Sequence, residues 1–150
     1  MRKLLLLSVS ILMVTLTACS SNDSNDNTTP TYIKFKVDDV TYAYQAETNT
    51  SLKKIITGRV GEGSTYREIS LSMPVNPKVG SHKIVVDPSS ANDAYTASFA
   101  PNSDTNSDGA IGKIIITSID FKFIRGTFYF YADYGPTGAF INDGEFVADK

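Results

Sequence analysis

Apolar and polar residues alternate along most of the chain, and this alternation predicts β-strands. Ile33, Phe35 and Val37 alternate with polar or amphipathic neighbours, as they do in a strand with one buried face. Residues 69–73 and 127–132 repeat the pattern, with Phe128, Phe130 and Ala132 on one face of the second segment. No window has the period of an amphipathic helix, so the fold class is all-β.

Turn residues divide the alternating region into short segments. The pairs Asp38-Asp39 and Asp143-Gly144 predict tight hairpin turns. About nine strands joined by polar turns indicate a single antiparallel β-sandwich, with a partly closed meander barrel as the alternative. The candidate strand segments are residues 32–37, 40–47, 52–59, 66–73, 81–86, 94–99, 111–121 and 123–133, with two short segments, 140–142 and 145–147, on either side of Asp143-Gly144.

The N-terminus has the pattern of a bacterial export signal. Arg2 and Lys3 precede an apolar stretch, Leu4 to Leu16, that is too short to span a bilayer as a helix. The sequence Leu-Thr-Ala-Cys that ends at Cys19 resembles the lipobox of bacterial lipoproteins. The resemblance implies cleavage before Cys19 and acylation, including a palmitate-type chain, on that residue. The alternative is an ordinary signal peptide that contains a cysteine by chance.

A polar segment follows the single cysteine. Residues 20–31 contain no apolar side chain, so they predict a disordered tether. The domains expected are a signal peptide at 1–18, the lipid-bearing Cys19 with its tether at 19–31, and a β domain at 32–150. Many bacteria place Asp directly after the lipidated Cys to retain a lipoprotein in the inner membrane. This chain has Ser20 there instead, which favours the outer membrane. Periplasmic and surface-facing orientations both remain open.

Two motifs near the C-terminus resemble a family signature. Gly126–Ala132 reads G-T-F-Y-F-Y-A, and Ile141–Phe146 reads I-N-D-G-E-F. This pair is similar to the signature of small lipoproteins of Bacteroidota that form a domain family of unknown function. An isoleucine-rich strand at Gly112–Asp120 also fits this family. The resemblance implies an all-β envelope protein with a D-G-x-F hairpin, and it implies no catalytic residues.

Composition excludes several classes of function. The net charge is −2, so the basic surface that nucleic acids require is missing. One Cys allows no intrachain disulfide, and one His leaves little material for a catalytic triad or a multi-histidine metal site. We therefore expect a non-enzymatic protein with a binding or structural role in the cell envelope. A small envelope hydrolase is a more remote alternative.

One loop resembles half of a calcium site. Asp104, Asn106 and Asp108 precede Gly109 in the pattern D-x-N-x-D-G, which can direct three oxygen ligands at one hard cation. The twelfth position of a complete calcium loop is Ile115 instead of Glu. A solvated loop without metal uses the same residue types. Calcium is therefore the one cofactor that the sequence suggests.

Three tyrosines are the candidate ligand-binding residues. Tyr129, Tyr131 and Tyr134 can form an exposed aromatic strip. Such strips stack on sugar rings or anchor protein partners, and the alternative is ordinary packing on a sheet face. The partners expected are thus the membrane, through the N-terminal lipid, and a glycan, small ligand or envelope protein.

Overall fold

A computed structural model describes residues 29–86, 92–105, 107, 110–133 and 137–150. The predicted signal peptide and Cys19 lie outside these residues. Within them, the only helical element is a short 3₁₀ turn at Gly63–Thr65, and no helix is long and apolar enough to cross a membrane. The strands are β1 (Tyr32–Val37), β2 (Val40–Thr50), β3 (Lys54–Val60), β4 (Arg67–Met73), β5 (Gly80–Lys83), β6 (Thr96–Ala100), β7 (Ala110–Ile119), β8 (Phe123–Asp133) and β9 (Gly138–Asp149).

All nine strands belong to one antiparallel sheet, which confirms the all-β class. Their spatial order is β5-β7-β8-β9-β1-β2-β3-β4-β6. The sheet curls into a half-barrel. Of the two architectures that the sequence left open, this is the partly closed barrel.

Strand β2 is the element that makes the sheet continuous. Its first half, Val40–Gln45, pairs with β1, and its second half, Ala46–Thr50, pairs with β3. A strand that changes partners along its length lets the sheet turn a corner without a break. This change of partner within β2, between Gln45 and Ala46, lets the sheet curl.

The curl brings the two edges of the sheet together at one point. Ile84 follows β5 and Tyr95 precedes β6, and these two residues form a parallel bridge. The Val85 N–H donates to the Tyr95 carbonyl at 3.0 Å. This contact joins the segments beside the two edge strands, β5 and β6.

The concave face of the sheet is filled by large apolar side chains. Phe35 packs edge-to-face against Tyr44 and Phe99, with ring centroids 5.7 Å apart in both pairs. Each fully buried side chain of this size contributes about 1.5–3 kcal/mol to folding. The largest fully buried side chains are Phe35, Phe128, Phe130, Phe146, Ile33, Ile56, Ile69, Leu71, Met73, Ile84, Ile114 and Ile116.

One of the two predicted hairpin turns is confirmed and the other is wrong. Asp38 and Asp39 have φ values of 48° and 64°, and they join β1 to β2 in a two-residue turn. Asp143 also has a positive φ, 47°, but it lies inside β9. The register of β9 shifts there against both of its neighbours, so Asp143 and Gly144 form a β-bulge in one long strand.

The last residue of the predicted tether is attached to the sheet. The Thr31 hydroxyl donates to the Ala46 carbonyl at 3.0 Å, and the Ala46 N–H donates to the Thr31 carbonyl at 3.4 Å. Residues 20–28 lie outside the described chain. The attachment at Thr31 fixes where the preceding segment leaves the barrel.

Candidate ligand-binding surface

The side chains of β8 alternate between the interior and the outer face of the sheet. Phe128 and Phe130 are buried, whereas Tyr129 and Tyr131 are each about two-fifths exposed. Both tyrosines therefore face solvent on the same side of β8, as the sequence predicts for an exposed strip. Tyr134, the third predicted residue, lies outside the described chain.

Neighbouring strands extend the tyrosine strip sideways. Tyr131 pairs with Ile111 of β7 on one side and with Phe140 of β9 on the other. Ile111 is 72% exposed and Phe140 is 51% exposed. We call Ile111, Tyr129, Tyr131 and Phe140 the aromatic patch.

Gly138 supports the ring of Tyr131. A Cβ atom at Gly138 would overlap the hydroxyl end of the Tyr131 side chain and the Ala132 carbonyl. The ring therefore lies over a stretch of β9 that has no side chain. This close approach holds the hydroxyl end of the ring against β9, while about two-fifths of the Tyr131 side chain stays exposed.

The bulge in β9 opens a depression beside the patch. Phe128 pairs with Gly144 and Phe130 pairs with Ile141, so Tyr129 faces two residues of β9, Asn142 and Asp143, across an interrupted ladder. An open depression of about 470 Å³ lies at this interruption. Its lining comprises Thr127, Phe128, Tyr129, Phe140, Asn142, Asp143, Gly144 and Glu145.

The Asp143-Gly144 pair suits the bulge for two different reasons. Asp tolerates the left-handed backbone conformation better than most residues. Gly144 lies so close to Phe128 that a Cβ atom would overlap its carbonyl oxygen and its ring. The depression thus depends on the local chemistry of these two residues.

Two exposed ion pairs lie at the rim, each between a lysine and a carboxylate. The Lys36 Nζ lies 2.8 Å from the Asp143 Oδ2, and the Lys34 Nζ lies 3.3 Å from the Glu145 Oε1. The hydrogen bond from Lys36 lowers the pKa of Asp143, and the same bond raises the pKa of Lys36. Both Lys36 and Asp143 are therefore charged near neutral pH.

Asn142 adds an acceptor that the fold does not use. Its side-chain Oδ1 is shielded from solvent and has no hydrogen-bond partner among the described residues. A shielded polar atom normally has such a partner. Together the patch and the depression offer flat apolar rings beside oxygen acceptors.

The comparison with protein families bears on the whole of this surface. Residues 29–148 match a domain of unknown function, DUF6252. The chain belongs to the DUF6252 family. The match includes the whole aromatic patch and the bulge. No curated protein and no solved structure matches the chain.

The candidate calcium loop of this DUF6252 domain is only partly described. The Asp104 Oδ1 accepts a hydrogen bond of 3.1 Å from Ser103, and the Asp104 N–H donates to the Asn102 side chain at 3.0 Å. Asn106 and Asp108 lie outside the described residues. No cluster of three or more His, Cys, Asp or Glu side chains that could hold a metal occurs in the described part. Calcium binding at this loop stays a prediction.

Of the residues that form this surface, the sequence identified Tyr129 and Tyr131 as candidate ligand-binding residues. Ile111, Phe140, Asn142 and Glu145 join Tyr129 and Tyr131 only because of the sheet register, which involves residues far apart in the chain. The Asp143-Gly144 pair was the available local signal. A hairpin turn and a bulge both use Asp-Gly, so this signal alone does not distinguish them.

Proposed function

We propose that this chain is a lipid-anchored cell-envelope protein that binds carbohydrate through the aromatic patch and the adjoining depression. The observation that carries the proposal is the exposure of Tyr129, Tyr131 and Phe140 on one outer face beside the bulge. No catalysis is part of this proposal.

The chemistry of the surface fits a sugar. Exposed aromatic faces bind apolar ring surfaces, and tyrosine adds a polar edge. The carboxylates of Asp143 and Glu145 are charged-group acceptors for hydroxyl donors. Asn142 lines the same depression. The wide opening of the depression suits part of an extended glycan better than an enclosed small molecule.

The anchor is proposed from the sequence. The charged start, the short apolar stretch and the lipobox-like residues up to Cys19 support export and acylation. Two or three acyl chains bind a membrane stably, whereas one chain gives marginal attachment. Ser20 supports retention at the outer membrane. The similarity of the C-terminal motifs to lipoproteins of Bacteroidota supports the same location.

A glycan array with the purified protein tests the binding proposal. We expect binding to envelope or host glycans that Tyr131→Ala and Phe140→Ala each weaken about tenfold, because each removes a stacking surface. Phe121→Ala is the matched control, since Phe121 is an exposed aromatic residue outside the patch. An array without binding, or equal losses in the three variants, would contradict the proposal.

A second candidate is binding of an envelope protein, and Ile111 favours it. This residue is more exposed than either tyrosine of the patch and it contributes no group that hydrogen-bonds to a sugar. Exposed apolar residues beside tyrosines are typical of protein interfaces. A photo-cross-linker at residue 111 in cells would test it. One specific adduct that Tyr131→Ala abolishes would favour a protein partner over a glycan.

The anchor has its own test. Cys19→Ala is expected to remove metabolic labelling by a palmitate analogue and to move the protein from the membrane to the soluble fraction. Ser20→Ala is the matched control, because it changes the neighbouring residue and leaves the thiol. A Cys19→Ala protein that still partitions with membranes would refute the anchor.

A further inference from the structure

The segment that precedes the sheet leaves the barrel at one particular end. Thr31 is hydrogen-bonded to Ala46, and Tyr32 pairs with Val147 near the end of β9. Asp149 in turn pairs with Phe123 at the start of β8. The N-terminal segment, the end of β9 and the β7–β8 turn therefore lie at the same end of the barrel.

Three connections lie at this end. Residues 51–53 join β2 to β3, residues 74–79 join β4 to β5, and residues 120–122 join β7 to β8. The Lys150 N–H donates to the Lys122 carbonyl at 2.9 Å. Lys54, which follows the first connection, lies within the electrostatic reach of Asp149. We call this end, with these three connections and Lys150, the lysine end.

The tips of the lysine end carry apolar side chains that nothing in the described chain covers. Phe121 is 93% exposed and Leu52 is 74% exposed. Val79 is also exposed in the third connection. Large apolar side chains at the tips of turns have no structural role in the core, since they point away from the sheet.

Basic residues surround these tips. Lys53 follows Leu52, Lys122 follows Phe121, and Lys150 lies beside Lys122. Lys78 adds a fourth lysine in the connection before β5. The acids at this end are Asp93, which shortly precedes β6, Asp149, and Asp120, which forms an ion pair with Arg125, so lysines remain in excess.

The opposite end of the barrel has the reverse charge. Its described connections carry acidic side chains at Asp38, Asp39, Glu62 and Asp104. The whole chain has a net charge of −2, so the excess of lysines at the other end reflects position and not composition. An anionic surface is therefore attracted more strongly to the lysine end than to the opposite end.

We infer that the lysine end rests on an anionic lipid bilayer, with Phe121 and Leu52 inserted between the headgroups. This inference relies on the proposed lipid anchor at Cys19. Cys19 precedes Thr31 by 12 residues, so the acylated end of the chain reaches the barrel at the lysine end. Apolar tips flanked by lysines have the chemistry of proteins that bind the membrane interface.

The docked orientation also suits the proposed binding surface. Tyr131 and Phe140 lie next to the β8–β9 connection, at the end opposite to the lysine end. A barrel that stands on its lysine end presents the aromatic patch away from the lipid. The patch is then accessible to a glycan in the surrounding envelope.

Tryptophan fluorescence gives a direct test, because the chain contains no Trp. Full-length lipidated Phe121→Trp and Leu52→Trp proteins are reconstituted on vesicles that contain phosphatidylglycerol and brominated phospholipid. We expect a blue-shifted emission and marked quenching by the bromine atoms, as for a residue at the lipid interface. Val40→Trp, beside Asp39 at the opposite end, is the matched control and is expected to show neither effect.

Two readouts separate the inference from the anchor. Vesicle flotation reports the anchor, and quenching reports docking. Flotation with no quenching at residues 121 and 52, or with equal quenching at residue 40, overturns docking and leaves the anchor intact. A chain that fails to float overturns both. Lys53→Glu with Lys122→Glu is expected to reduce quenching at Leu52→Trp several-fold while flotation is unchanged.

Discussion

At the scale of the residue, Asp120 shows how one carboxylate organises a turn. Its Oδ1 accepts hydrogen bonds from the N–H groups of Lys122 and Phe123 at 2.8 and 2.7 Å, and its Oδ2 accepts one from Arg125 at 2.5 Å. These hydrogen bonds lower the pKa of Asp120 to about 2. The bond from Arg125 has the largest effect, and the two backbone bonds have smaller ones. The ionised carboxylate therefore holds the turn that presents Phe121.

The lowered pKa of Asp120 predicts an acid-sensitive contribution to stability. Because the folded pKa lies below the ordinary value of 3.8, the contribution is complete above about pH 4 and is lost as the pH falls towards 2. Urea unfolding is expected to show wild type more stable than Asp120→Asn at pH 6, with the difference shrinking between pH 4 and pH 2. Arg125→Gln is also expected to be less stable than wild type at pH 6, with the difference shrinking between pH 4 and pH 2. A difference that does not change with pH would contradict this.

Gly144 illustrates a residue that the fold selects by space alone. A Cβ atom there would overlap both the backbone and the ring of Phe128. Gly144→Ala is expected to destabilise the protein by about 1–3 kcal/mol, the usual cost of overpacking a well-packed site. Gly144 is not among the glycines with a positive φ, so the loss would come from packing and not from backbone strain. Unchanged stability of Gly144→Ala in urea unfolding would show that Gly144 is not tightly packed against Phe128.

At the scale of the element, local pattern predicts strands well and their connections less well. Alternation located β1 and β8 at their observed bounds, because one face of each strand is buried. The two Asp-containing turn signals had different outcomes. Asp38-Asp39 joins two strands, whereas Asp143-Gly144 lies where β9 continues between β8 and β1. Pairing on both sides of β9 keeps that segment extended, and a local sequence does not contain this information.

The β1–β2 turn offers a test of backbone strain. Asp38 and Asp39 both have positive φ values, which cost an L-residue about 1–2 kcal/mol and cost glycine almost nothing. Asp39→Gly produces the Asp-Gly sequence that such turns favour, so we expect it to stabilise the protein by up to about 1 kcal/mol. Asp39→Val is expected to destabilise it, since a β-branched residue is poorly suited to a positive φ. Thermal unfolding in the opposite order would refute the turn geometry.

At the scale of the whole molecule, closure and polarity come from contacts between distant segments. The sequence predicted about nine strands but left sandwich and barrel open, because the partner change in β2 and the bridge between Ile84 and Tyr95 are set by register. The same register joins Ile111, Tyr131 and Phe140 on one face. The sequence shows the net charge but not where the charged side chains lie in space. The fold separates it into two ends.

Tyr95 is the side chain on which closure of the half-barrel depends. It is buried, its ring stacks on His82 with centroids 3.9 Å apart, and its carbonyl accepts from Val85 across the seam. Tyr95→Ala is expected to cost about 3 kcal/mol or more in urea unfolding and to accelerate hydrogen exchange at the Val85 amide. Tyr95→Phe is the matched control, because it removes only the hydrogen bond that the Lys78 N–H donates to the hydroxyl, worth about 0.5–1.5 kcal/mol. If Tyr95→Ala leaves exchange at Val85 unchanged, the seam does not hold the edges together, and the curl is maintained by the partner change in β2 alone.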